Sequence, residues 1–348
     1  MYNTLLPIID KETVARLHAL IGRAEKIVIT CHVSPDGDAI GSSMGLCQVL
    51  KAMGKQATVI TPDMPPRQLQ FFPNIKSIVV ASCHPHTARR LTAEADLIFC
   101  LDFNDLRRVD KFADALKQAT ADVVLIDHHL DPTVKATVTI SHPEISSTSA
   151  LVYRVLHDLT LTDFLSPLGA TAIYTGMMTD TGNFSYNSLD PSLYLIVADL
   201  VSRGVDKDAV YREVFNTSSL SRVRIQGYAA SRKLELFPEA GTALITLSRR
   251  ELDEFEYEKG DTETLVNLPL SIPGIVCSVF MRQDEDDYVK ISTRSKGDFP
   301  VNKVCERYFG GGGHLNAAGG EWNGTLDEAV ARFLELVKGG YFPWGNKE

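Results

Sequence analysis

KIVITCHVSPDGDAIGS (residues 26–42) opens on an unbroken apolar run and then delivers His32, Asp36 and Asp38 in quick succession. Two further stretches repeat the arrangement. DLIFCLDFND (96–105) runs into Asp102, and DVVLIDHHL (122–130) runs into Asp127, His128 and His129. A continuous Val, Ile and Leu run that stops at a polar residue reads as a strand buried on both faces, as in a parallel sheet. Ligands of such sheets bind outside the carboxyl ends of the strands. Acids gathered along one sheet edge repel one another unless a cation neutralises them. The leading expectation is therefore a polynuclear metal site at that edge.

Outward from these strands the pattern alternates. The spacing predicts a helix over 11–24, the strand at 26–32, a helix from Ala39 to Met53 closed by Gly54, and a strand over Ala57–Thr61. After a proline-rich stretch come a short strand at 77–80, the strand at 96–102, a helix over 109–120 and the strand at 122–127. Strands alternating with helices predict a doubly wound α/β domain. After Ser141 the chain turns helical, with Leu151, Val152, Val155, Leu156 and Leu159 on one face. Further helices are expected at 166–178, 191–203, 206–216 and 219–233. From about 234 the character becomes α+β, with strands LELF, TALITLS, VCSVFMRQ and YVKISTRS, a helix at 301–309, and a closing helix announced by the capping box of Thr325 and Glu328.

At 348 residues the chain exceeds the size at which one core keeps growing, so two domains are expected. The formal net charge of −9 argues against a protein that grips long nucleic acid through its phosphates. Six cysteines lie scattered without a CxxC pair, which favours a reduced thiol set over disulfides or structural zinc. The N-terminus lacks the pattern of a signal peptide, and no apolar run reaches transmembrane length. A soluble, cytoplasmic protein is the expectation.

Within HVSPDGDAIGS, Pro35 and Gly37 permit a sharp turn that aims Asp36 and Asp38 at neighbouring points, although N-cap aspartates would read the same way. Ser42 and the start of the following helix could bind an anion. Asp127-His128-His129 suits a metal ligand beside a phosphate contact. Asp180, in MMTDTGNFSY (177–186), follows an apolar helix and is a candidate late ligand. The donor set is oxygen and nitrogen without thiolate, which suits Mn²⁺ or Mg²⁺. A pair of such ions can activate water and stabilise a leaving oxygen. Near the other end, GGGGHLNAAGG (310–320) can let a ligand approach the backbone closely, and Arg294 suits a phosphate or carboxylate.

The ordered set HVSPDGDAIGS, LDFND, DHH, TDTGNFSY and ISTRS…GGGGHLNAAG resembles the DHH phosphoesterase superfamily, and within it the bacterial oligoribonuclease and phosphoadenosine-phosphate phosphatase group. The resemblance runs over nearly the whole chain. It implies a DHH catalytic domain over 1–215, a connecting helix over 216–233 and a smaller α+β DHH-associated, substrate-binding domain over 234–348, with the active site in the cleft between them. It also implies His32, Asp36 and Asp102 around one Mn²⁺, and Asp38, Asp102, His128 and Asp180 around a second, so that Asp102 bridges. Asp127 would support the site from behind, and His129 would face the scissile phosphate. Arg294, Gly312, Gly313 and His314 would hold the terminal phosphate or base. The second motif departs slightly from relatives, and Asn104 and Asp105 receive no catalytic role.

The implied reaction is hydrolysis by two-metal activation of water, with Mg²⁺ as the other candidate ion. Expected substrates are oligoribonucleotides of two to five residues, giving mononucleotides, and 3′-phosphoadenosine 5′-phosphate, giving AMP. The rival readings are a phosphodiesterase of linear or cyclic dinucleotides and a nucleotide sensor without catalysis. Within the superfamily, a manganese pyrophosphatase carries a different second domain, and a long-chain exonuclease usually carries an added module. Neither long duplex nucleic acid nor a membrane is an expected partner, and a homodimer stays open.

Overall fold

The computed structural model describes residues 5–72 and 74–342, and the chain divides into two units, 1–217 and 218–348. In the first unit β1 (Lys26–Thr30), β2 (Gln56–Thr61), β3 (Val79–Val80), β4 (Leu97–Leu101), β5 (Asp122–Asp127) and β6 (Val138–Ser141) form one sheet. Its order is β3-β2-β1-β4-β5-β6, with every pairing parallel. The helices are α1 (Lys11–Arg23), α2 (Gly37–Ala52), α3 (Pro85–Ala93), α4 (Ala113–Gln118), α5 (Thr148–Asp158), α6 (Pro167–Asp180), α7 (Pro191–Ser202) and α8 (Lys207–Phe215). The expected doubly wound α/β domain is thus present.

The apolar strands explain themselves through the two-residue period of side chains along a strand. Ile27, Ile29, Leu97, Phe99, Val124 and Ile126 enter one core with α1, α2, α5 and α6. Val28, Ile98, Cys100 and Leu125 enter the core on the opposite face, with Ala88 of α3 and Leu116 of α4. Neighbouring strands β1 and β4 are where the winding reverses, from outward through β2 and β3 to outward through β5 and β6. The crevice at such a reversal is the usual ligand position in this architecture.

One expectation needs correction here. The helix expected over 109–120 is a 3₁₀ segment, Leu106–Phe112, broken at Asp110 (φ 47°) and followed by the short α4. The sequence also offers no clear period for α3 or the four-residue β6, and both are additions from the structure.

The second unit holds β7 (Leu234–Phe237), β8 (Thr242–Leu247), β9 (Cys277–Glu285), β10 (Tyr288–Ser295), β11 (Gly312–His314) and β12 (Ala317–Asn323), in the order β11-β12-β10-β9-β8-β7. Only β8 and β9 run parallel. Its helices are α9 (Leu220–Tyr228), α10 (Arg249–Glu254), α11 (Val301–Tyr308) and α12 (Leu326–Lys338). Val279, Met281, Val289 and Ile291 pack on one face with Val304, Phe333 and Leu336, as an α+β layer requires. Of 216–233, read as a connector, residues 218–233 fall in this unit, where Ile225 and Ala229 are fully buried. The capping box of Thr325 and Glu328 opens α12 as the sequence predicts. The glycine-rich 310–320 is mostly strand rather than loop, since β11 and β12 pair with each other. Among the described residues no helix is long and apolar enough to cross a membrane.

Candidate metal centre

Five elements of the first unit deliver the predicted acids and imidazoles to one place. His32 follows β1, Asp102 follows β4, and Asp127 closes β5 ahead of His128 and His129. Asp36 is the N-cap of α2, Asp38 lies in its first turn, and Asp180 is the last residue of α6. Three overlapping groups result: His32 with Asp36 and Asp102; Asp38 with His128 and Asp180; and Asp102 with His128 and His129. In each, the ligand atoms lie within 4.8 Å of one another.

Each imidazole is oriented through one nitrogen. His32 Nδ1 lies 2.7 Å from the Val33 carbonyl, and His128 Nδ1 lies 3.1 Å from the Ile145 carbonyl. A carbonyl only accepts, so both rings carry the proton on Nδ1 and turn Nε2 toward the acids. His32 Nε2 stands 3.4 Å from Asp102 Oδ2 and 3.8 Å from Asp36 Oδ2. His128 Nε2 stands 3.6 Å from both Asp102 Oδ1 and Asp180 Oδ2, and 4.0 Å from Asp38 Oδ2. The two oxygens of Asp102 thus face the two groups separately. The fully buried Asp127 holds His129, with Oδ1 2.7 Å from Nδ1.

Asp36 answers both readings of its position. Its Oδ1 accepts the N–H groups of Asp38 and Ala39 at 3.0 Å each, as an N-cap does, while Oδ2 is the oxygen nearest His32. Asp102 sits at φ +64°, a left-handed conformation that aspartate tolerates better than most residues. Its N–H donates to the Ile126 carbonyl at 3.2 Å, which ties the turn to β5. Asn104 Nδ2 donates to the Leu130 carbonyl at 2.6 Å and so fastens the chain just beyond His129.

The charges are unbalanced by the protein alone. Burial and the Asp38 charge push the Asp102 carboxyl up to about 8, and burial with the charges of Asp38 and Asp36 pushes Asp180 up to about 8. Asp38 is also raised, chiefly by burial. Burial alone would lower His32, but its contacts with Asp102 and Asp36 outweigh that and push it up to about 10. Protons are being held where positive charge is wanted. Oxygen and nitrogen donors crowded in this way fit divalent ions of the Mn²⁺ or Mg²⁺ type.

α6 reaches the site because small residues let it approach. A methyl at Gly41 would lie 2.5 Å from the Ala172 carbonyl, and one at Gly176 would lie 1.9 Å from Ser149 Oγ. Sequence reasoning missed Thr148 and Ser149, whose groups bond Asp38 and Asp102. The available signal was the Ser147 N-cap ahead of the apolar run of α5.

One expectation fails. Ser42 is fully buried within α2 and its hydroxyl donates to the Ala39 carbonyl at 3.3 Å, so it is not presented to an anion. In the second unit Arg294 lies half-buried on β10, paired in register with Ser278 and Ala317. Its Nη1 donates to the Thr293 carbonyl, and it has no carboxylate partner among the described residues. Gly312 and Gly313 lie in β11, Gly313 at φ +147°. The side chain of His314 lies outside the described residues.

Residues 26–177 match the N-terminal domain of the DHH family, and residues 242–339 match the DHHA1 domain. The chain is 33% identical over 313 residues to the bifunctional oligoribonuclease and PAP phosphatase NrnA of Thermus thermophilus, covering 90% of this chain and 89% of that one. It is 28% identical to the cyclic-di-AMP phosphodiesterase GdpP of Geobacillus thermodenitrificans, over 95% of this chain and 50% of the relative. Among solved structures, an exopolyphosphatase-related protein from Bacteroides fragilis superimposes with a TM-score of 0.93 at 45% identity, covering 96% of this chain and 98% of that one.

Proposed function

This chain belongs to the DHH family of metal-dependent phosphoesterases, and from that premise we propose that it hydrolyses short oligoribonucleotides to mononucleotides and 3′-phosphoadenosine 5′-phosphate to AMP. One observation carries the reading. Two groups of ligand atoms share Asp102, one on each of its oxygens, at the carboxyl edge of the parallel sheet. The likeness to the Thermus enzyme over nine-tenths of the chain supports the substrate class.

In this reading His32, Asp36 and Asp102 hold one divalent ion, and Asp38, Asp102, His128 and Asp180 hold the other. Bound there, a pair of Mn²⁺ or Mg²⁺ ions supplies positive charge for the phosphoryl oxygens and makes water acidic enough to attack at neutral pH. The protein does the positioning. The carbonyls of Val33 and Ile145 fix the His32 and His128 tautomers, so that neither ring must reorient during turnover. Asp127 accepts the Nδ1–H of His129 and so aims its Nε2, which donates a hydrogen bond or a proton toward the phosphoryl group when the ring is doubly protonated. Arg294 and the backbone of Gly312 and Gly313 bind the substrate in the second unit, with the guanidinium engaging a phosphate as a fork. Long duplex nucleic acid is not part of the proposal, given the net charge of −9.

A second reading is cleavage of cyclic or linear dinucleotides, favoured by the identity to the cyclic-di-AMP phosphodiesterase over 95% of the chain. The two separate on a substrate panel. With Mn²⁺ present, kcat/KM is measured by chromatography for dinucleotides, pentanucleotides, long single strands, cyclic-di-AMP, phosphoadenosine phosphate and pyrophosphate. Highest values for short RNA and phosphoadenosine phosphate are expected. Preference for cyclic-di-AMP selects the second reading, and preference for pyrophosphate or long strands overturns both.

A further inference from the structure

We infer that Thr148, together with the backbone N–H groups that open α5, is a positioning residue that fixes Asp38 and Asp102 for the ion on the His128 side. The inference rests on the divalent-ion reading of the site. Thr148 N donates to Asp38 Oδ2 at 2.6 Å, and Ser149 N donates to Asp38 Oδ1 at 2.8 Å. The next N–H, of Ala150, is taken by the Ser147 hydroxyl at 3.1 Å. Both oxygens of Asp38 are therefore clamped by a helix N-terminus, whose partial positive charge favours the carboxylate. Each oxygen can still accept along a second direction, toward an ion.

The hydroxyl of Thr148 extends this clamp to a second acid. Thr148 Oγ1 donates to Asp102 Oδ1 at 2.9 Å. That oxygen is the one 3.6 Å from His128 Nε2, whereas Oδ2 faces His32. Ser147, Thr148 and Ser149 are fully buried, and Asp38 and Asp102 nearly so, so water cannot replace the bonds. α6 closes the clamp from above, where a methyl at Gly176 would lie 3.0 Å from Asp38 Oδ1. Removing one hydroxyl should thus loosen Asp102 toward the Asp38, His128 and Asp180 group and leave the His32 and Asp36 group intact.

The test uses Thr148→Val, which keeps the shape and the backbone donor, and Thr148→Ser, which restores the hydroxyl. Mn²⁺ binding to the full chain is followed by calorimetry and by electron paramagnetic resonance, alongside kcat and KM. Two bound Mn²⁺ are expected for the unaltered protein. In Thr148→Val one should keep its affinity and the other weaken about 10- to 100-fold, as for other residues that orient a ligand. kcat should fall with KM little changed, and Thr148→Ser should recover most of the loss. Unchanged binding of both ions in Thr148→Val overturns the inference, as does a Thr148→Ser variant no better than valine. Should the valine variant not fold, Thr148→Ala takes its place in the same comparison. An unaltered protein that binds no Mn²⁺ at all would instead sink the metal reading beneath it.

Discussion

The carboxyl edge of the first sheet and the glycine edge of the second are built on opposite plans. At the first, function resides in side chains: acids and imidazoles are forced together until two carboxyls sit near pKa 8. At the second, a methyl at Gly311 would lie 1.9 Å from the Gly319 carbonyl, so the backbone itself fills the place of side chains. The first plan is electrostatically costly until a cation arrives. The second is sterically tight, with backbone packed against backbone. A substitution in one should therefore fail differently from a substitution in the other.

The largest effect is expected at Asp102. Asp102→Asn keeps a residue suited to φ +64° but removes the charge facing both groups. Mn²⁺-stimulated hydrolysis, read by product chromatography, should fall more than about 100-fold, beyond what loss of an orienting residue costs. The chelated variant should nevertheless melt no lower than the parent at pH 8, because one buried like charge is gone. Retained hydrolysis would break the proposed role of Asp102.

Gly313→Ala probes the other plan. The added methyl would lie 2.6 Å from the Ala317 carbonyl at φ +147°, a strain of about 1–3 kcal/mol. Stability should drop in a denaturant melt and KM should rise, with Mn²⁺ binding unaltered. Loss of Mn²⁺ binding here would erase the contrast between the two edges. A smaller effect is expected for Arg294→Lys, which keeps the charge but loses the fork. KM should rise about tenfold, the equivalent of one charge-assisted hydrogen bond at about 1.5 kcal/mol, with kcat nearly unchanged.

The smallest effect is a pH dependence of the metal-free protein. Asp102 and Asp180 are raised from 3.8 to about 8 in the fold, so their contribution is fully present below pH 3.8 and is lost as pH rises through 8. His32, raised from 6.5 to about 10, loses its contribution between those values, in the same direction. With chelator present, Tm should fall by a few degrees from pH 6 to pH 8, and Mn²⁺ should raise Tm more at pH 8. A chelated protein more stable at pH 8 than at pH 6 would contradict this account.

Much of the first edge was legible in the chain because the physics is local there. A strand buried on both faces must be apolar throughout, so the residue where it stops announces itself, as Asp102 and Asp127 do. His32, Asp36, Asp38, His128 and Asp180 stood in recognisable motifs and do come together. Hydroxyl residues were the hardest to place. Ser42 looked available and is turned into its own helix, while Thr148, not singled out in the sequence, bonds Asp102. A hydroxyl's partner depends on which distant element packs against it, and no spacing rule encodes that. β11 and β12 were hidden for a different reason. Glycine contributes no packing surface, so the two glycines of β11 and the Gly319-Gly320 pair within β12 blank out the two-residue period that would announce a strand.

The winding order of the first sheet also says where this protein is free to vary. Every candidate ligand comes from β1, β4, β5, α2 or α6, and none from β2 or β3, which lie beyond β1 on the far side of the reversal. β3 is a two-residue outer strand, and the nearby segment carries the exposed Met64. That flank still has one tie to the ligands, because Asp63, just beyond β2, accepts the Ser34 N–H at 2.9 Å; a longer loop should therefore be tolerated beside β3 before it is tolerated beside Asp63.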